Sequence, residues 1–117
     1  MGTQARDNAC MWPMHDYPLD EMLCALSAAQ LLNVFARGEA TPTEVTQATL
    51  RRIDRLNPER NVFITVSRDI AMSAAKECEV RWQQGRARPL EGLPFSVKDL
   101  VNTAGVRTTM GSQLFAD

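Results

Sequence analysis

Residues 89–99 read Pro-Leu-Glu-Gly-Leu-Pro-Phe-Ser-Val-Lys-Asp, and the reading of this stretch decides the fold class. Pro94 can open a strand, while Phe95, Ser96 and Val97 alternate as a short buried strand would, with Lys98 at or near its end. Upstream, residues 61–67 read NVFITVS, β-branched and aromatic with no turn residue inside, which is a second strand signal. Between the two, Ala71, Ala74, Ala75, Cys78 and Trp82 share one face of a helix expected from about Asp69 to Gln84 and closed by Gly85. Further upstream, Ser27-Ala28-Ala29-Gln30 fits a capping box before Leu31, Leu32, Val34 and Phe35, and Gly38 should stop that helix. Thr41, Pro42 and Glu44 start another at once. Val45, Ala48, Thr49, Ile53 and Leu56 recur along it at helical spacing, Arg51, Arg52, Asp54 and Arg55 form its wetter face, and Asn57-Pro58 ends it. The tail from Asn102 to Ser112, with Gly105 and Gly111, reads as a loop. Three helices and two short strands in this order give an α/β class.

Composition narrows the function. The 117 residues carry 13 basic and 14 acidic side chains, so a net charge of −1 leaves no electrostatic footprint for nucleic acid or anionic lipid. No apolar run approaches the roughly 20 residues that span a bilayer, and the N-terminus has no apolar h-region. A soluble cytoplasmic protein is therefore expected. Residues 1–26 read as an N-terminal extension: the leader over residues 1–18 has no sustained period, only a small cluster of Met11, Trp12 and Met14, and is compatible with disorder. Order is expected from near Leu19. Cys10, Cys24 and Cys78 are odd in number with no Cys-x-x-Cys pair, and His15 is the sole histidine. Inert thiols and no metal site are the reading.

One lysine is out of place. The chain has eleven arginines and only two lysines, Lys76 and Lys98. Lys76 lies on the polar face of a helix, whereas Lys98 ends a short apolar stretch and precedes Asp99. Two readings stand for Lys98. It is a solvated partner of Asp99, worth under about 1 kcal/mol, or an amine held against apolar walls and able to act as a general base. Arginine could not play the second part, because its guanidinium stays protonated.

The run from Pro89 to Asp99, followed by Thr103-Ala104-Gly105-Val106 and Thr108-Thr109-Met110-Gly111-Ser112, resembles the amidase signature family. The upstream turn from Gly38 to Val45, the Arg52-Ile53 pair and Asn57-Pro58 resemble it too, so the likeness covers about residues 27–117. It implies a mixed β-sheet surrounded by helices, and an enzyme that cleaves or transfers carboxamides through a Ser–cis-Ser–Lys triad. By this resemblance Lys98 takes the catalytic lysine's place, with Gly92, Pro94, Asp99, Gly105 and Gly111 shaping the site. No cofactor and no metal are implied, and the partner is a small-molecule amide. The serines present are Ser27, Ser67, Ser73, Ser96 and Ser112, and none lies in the Gly/Ser-rich context that the family's two triad serines require. Residues 27–117 are thus expected to be the N-terminal section of an incomplete amidase domain, inactive by itself. The alternatives are a glutaminase-type subunit of a tRNA-dependent amidotransferase, assembled with other subunits, and a truncated non-catalytic fragment.

Overall fold

Two reciprocal caps set the helical frame. The Ser27 hydroxyl accepts from the Gln30 amide at 3.3 Å while the Gln30 side chain accepts from the Ser27 amide at 2.8 Å. Thr41 and Glu44 repeat the arrangement at 3.2 and 2.8 Å. Each box satisfies two amides that a helix start leaves unpaired. In the computed structural model, which describes residues 19–116, the elements are α1 (Leu19–Ala25), α2 (Ala28–Arg37), α3 (Pro42–Arg60) and α4 (Arg68–Gln83), with a 3-10 turn at Gln113–Phe115. Gly38 ends α2 in the left-handed region, in keeping with the sequence. The leader residues 1–18, with Cys10, His15 and the Met11–Trp12–Met14 cluster, lie outside the described residues. Among the described residues no helix is long and apolar enough to cross a membrane.

α3 is the central element, packed by α1 on one side and α4 on another. Leu23, Leu31, Phe35, Val45 and Ala48 form the core, with Trp82 and Leu93 partly buried against it. The Phe35 and Trp82 rings stand 6.0 Å apart at 60°, the tilted geometry that aromatic quadrupoles favour, and this joins α2 to α4. α1 is an element that the sequence pattern does not announce. It places Asp20 and Glu21 in its first turn, where the helix dipole favours negative charge. Asp20 then accepts from Arg51, and Glu21 pairs with Arg52 and Arg55. The arginine face of α3, expected to be solvated, is the docking face for α1.

The α/β expectation is overturned. Among the described residues there are four helices and no strand or sheet; the one β-type contact is an isolated bridge between Thr103 and Val106. Neither 61–67 nor 94–98 is a strand, because neither finds a neighbouring strand with which to exchange backbone hydrogen bonds. Residues such as Val and Ile favour strands through packing on a pleated surface, and without that surface the preference has nothing to act on. Val62 stays 70% exposed and Phe95 87% exposed, so these apolar side chains gain nothing from a partner here. The Asn57 side-chain amide supplies a substitute at one point: it donates to the Phe63 carbonyl at 3.0 Å and accepts from the Phe63 amide at 2.8 Å. α3 also runs past the expected stop at Asn57-Pro58. It holds Pro58 in its last turn and ends at Asn61, whose left-handed backbone donates to the Asn57 carbonyl at 2.8 Å.

Candidate active site

The segment carrying Lys98 is fixed where it leaves the helices. Gly92 has φ +85°, and a β-carbon built there would lie 2.6 Å from Pro42 Cγ and 2.9 Å from its Cβ. Only a residue without a side chain can bring this loop so close to the start of α3. Immediately before it, Glu91 is buried with its side chain fully enclosed. Arg81 Nε from α4 donates to Glu91 Oε1 at 3.0 Å, and Arg88 Nε donates to Oε2 at 2.7 Å. The Arg88 amide also donates to Oε2 at 3.3 Å, and the Trp82 indole N–H donates to the Glu91 carbonyl at 3.0 Å. Arg88 foremost, then the Cys78 thiol and Arg81, hold the Glu91 carboxyl well below the usual carboxylate range. The same enclosure, burial first and the nearby carboxylate next, pushes the Cys78 thiol up, which disfavours the reactive thiolate.

From Pro94 to Lys98 the chain is extended and exposed. Lys98 begins a tight turn in which its carbonyl accepts from the Leu100 and Val101 amides at 2.7 and 3.0 Å. Its side chain is exposed and makes no ion pair among the described residues. Lys98 is thus not paired with Asp99. Asp99 faces the other way. Its Oδ1 accepts from the Thr109 amide at 2.8 Å, and its Oδ2 accepts from the Thr109 hydroxyl and from the Gly111 amide. The Thr109 hydroxyl, then its amide, keep the Asp99 carboxyl below its ordinary value.

This carboxylate ties the Thr108–Ser112 element back onto the Lys98 turn. Met110 and Gly111 have φ of +54° and +70°, and the Ser112 amide donates to the Thr109 carbonyl at 2.9 Å, closing a tight turn. Gly105, φ +75°, sits in the preceding turn bridged by Thr103 and Val106. Lys98, Asp99 and Thr108 line a groove of about 1160 Å³ that runs between α3, α4 and these loops. Ser96 is exposed, and Ser112 caps the 3-10 turn by accepting from the Leu114 amide at 3.2 Å. No group of three His, Cys, Asp or Glu side chains that could hold a metal ion occurs among the described residues.

The sequence reading brings out Gly92, Pro94, Lys98, Asp99, Gly105 and Gly111 but misses Glu91, Arg81 and Thr109. A signal existed for Glu91. It is an acid flanked by Leu90 and Gly92, three residues after Arg88 and directly following the basic linker Arg86-Ala87-Arg88.

Acid should loosen both carboxylate clamps. Each folded carboxyl titrates below its unfolded value of 4.5 for Glu91 and 3.8 for Asp99, so folding binds them as anions. Their stabilisation is complete above those unfolded values and is lost as pH falls through the folded ones. Urea midpoints should therefore be flat from about pH 7 to pH 5 and fall steadily below about pH 4.5. Glu91→Gln should remove part of that slope, and a midpoint equally pH-dependent in this variant would contradict the assignment.

The chain is 42% identical over 96 residues to the A subunit of the glutamyl-tRNA(Gln) amidotransferase of Salinispora tropica, an alignment covering 81% of this chain and 20% of that protein. It is 43% identical over 86 residues to the corresponding protein of Methylococcus capsulatus, covering 74% of this chain and 18% of that protein. For that of Hahella chejuensis the identity is 48% over 71 residues, 61% of this chain and 15% of that protein. The chain thus spans about a fifth or less of the length of these curated relatives. No solved structure matches it. Residues 44–117 match the Amidase family model, a stretch that holds most of α3, all of α4, the Glu91–Gly92 anchor and the Lys98–Asp99 turn. On this match, which covers more than half of its residues, the chain belongs to the amidase family.

Proposed function

We infer that residues 27–117 are the N-terminal section of an amidase domain, preceded by an extension, and that Lys98 is the base of its Ser–cis-Ser–Lys triad. The reaction is hydrolysis of a carboxamide C–N bond. In this mechanism the Lys98 amine takes a proton from a bridging serine, which takes one from the nucleophilic serine. That oxygen attacks the carboxamide carbon, backbone amides hold the oxyanion, and the C–N bond breaks as the leaving nitrogen is protonated. Water then cleaves the acyl-enzyme, releasing a carboxylate beside ammonia or an amine. Both serines belong to a Gly/Ser-rich segment that these 117 residues do not contain. The observation that carries the reading is the amidase match over residues 44–117, which includes the ordered run from Lys98-Asp99 to Thr108–Ser112. The open side of Lys98, free of Asp99, supports a role in which its amine meets a group supplied from elsewhere in the enzyme.

A second reading is favoured by the names of the relatives: the chain is part of a glutaminase-type subunit that works beside partner subunits on glutamyl-tRNA(Gln). Ammonia release distinguishes the two. An amidase that contains this chain should release ammonia from a simple aliphatic amide with no partner present. The amidotransferase reading predicts release from glutamine only, dependent on partner subunits and glutamyl-tRNA. The polypeptide of residues 1–117 alone should release none above the buffer rate. Turnover by that polypeptide, abolished by a substitution within it, would overturn the triad assignment.

A further inference from the structure

We propose that Glu91 is a positioning residue for Lys98, acting through the loop that connects them; the functional half of this proposal rests on the reading of Lys98 as the base. Between Pro94 and Lys98 no side chain is buried, so this stretch has no packing of its own to fix it. Its place is set from its two ends. The downstream end is held by Asp99 on Thr109 and Gly111. The upstream end is held by Glu91, and there three parts of the molecule converge. Arg81 and Trp82 bring α4, Arg88 brings the linker, and Gly92 rests on Pro42 at the start of α3.

A buried ion pair adds little net stability, because desolvation offsets most of the attraction. An enclosed carboxylate with two guanidinium partners is therefore better understood as fixing one arrangement than as strengthening the core. It is also placed to do so. Its partners come from α4 and the linker, while the core of Leu23, Leu31, Phe35, Val45 and Ala48 has no charged member. Freeing Glu91 should release residues 88–98 and leave α1–α3 folded. Lys98 would then sample many positions, and a displacement of about 1 Å at a reacting group can cost about a hundredfold in rate.

The test compares Glu91→Gln, which keeps the shape and removes the charge, with Glu91→Asp, which keeps the charge on a shorter stem. Amide hydrogen exchange on the 117-residue chain supplies the structural readout. In Glu91→Gln, exchange of the hydrogen-bonded Arg88, Glu91 and Leu93 amides should rise by roughly tenfold or more, with protection in α2 and α3 changed by less than about twofold. In the amidase that contains this chain, Glu91→Gln should lower kcat by roughly 10- to 100-fold with KM within about twofold, and Glu91→Asp should recover part of the loss. Arg88→Ala, removing the more exposed guanidinium, should give a milder form of the same pattern. Unchanged protection of the Arg88, Glu91 and Leu93 amides, or an equal loss across all four helices, would refute the positioning role. Those outcomes leave the base reading intact, because that reading stands or falls on substitutions at Lys98 itself.

Discussion

On the role proposed for Lys98, Lys98→Ala should lower amide turnover by about a hundredfold or more in an amidase that contains this chain, the usual magnitude of a lost general base. The loss should fall on kcat, since in the proposed role the amine acts on a serine proton. Stability should hardly change. Lys98 is exposed, takes part in no ion pair among the described residues, and its backbone turn is closed by carbonyl contacts that alanine retains. Lys76→Arg is the control. Lys76 is exposed on α4, and substitution there should leave turnover and unfolding within about 0.5 kcal/mol of the parent. Steady-state kinetics with urea unfolding on the same samples separates a catalytic loss from a folding one.

Gly92→Ala destabilises the chain by roughly 2–5 kcal/mol, the largest stability effect expected of any single-methyl change here. Two terms contribute. A left-handed backbone costs an L-residue about 1–2 kcal/mol, and forcing a methyl group into a filled space costs about 1–3 kcal/mol. The new Cβ would sit 2.6 Å from a Pro42 ring carbon, which the ring and the first turn of α3 hold in place. Gly38→Ala isolates the first term. Gly38 has φ +67° but nothing within 4 Å of an added Cβ, so it should cost only the backbone part. Equal urea midpoints for the two variants would show that the contact with Pro42 is unimportant.

The sequence disclosed what is local and concealed what needs a partner. Both capping boxes and the Gly38 stop are decided within four residues of chain, and they occur where the sequence places them. α4 was also legible, within a residue at each end, from the spacing of its alanines. The stretches 61–67 and 94–98 failed because strand pattern states a demand for neighbours and says nothing about whether they are met. Pro58 misled for a related reason. A proline disfavours helix in the residue before it, but here the Asn57 side chain is engaged by Phe63 and Asn61 closes the helix one turn later.

The site was half legible. Lys98 and Asp99 stood out by residue type and order, and the glycines by their turn contexts. The direction in which Asp99 points was not readable, because adjacency in sequence suggested Lys98 and only the fold brings Thr109 within reach. The Glu91 anchor depends on Arg81, ten residues away and in another element. α1 shows the same limit: its acids were visible, but their arginine partners, Arg51 and Arg55, lie 31 and 34 residues further along the chain, on α3.

The measurement that bears most directly on the role proposed for Lys98 is turnover of Lys98→Arg in an amidase that contains this chain. Arginine preserves the positive charge and much of the reach, but its guanidinium does not give up its proton and so cannot receive one. A base role predicts a loss nearly as deep as that of Lys98→Ala, about a hundredfold or more. A structural cation predicts that arginine retains most of the activity, and near-parental turnover for Lys98→Arg would contradict the assignment of Lys98 as the base.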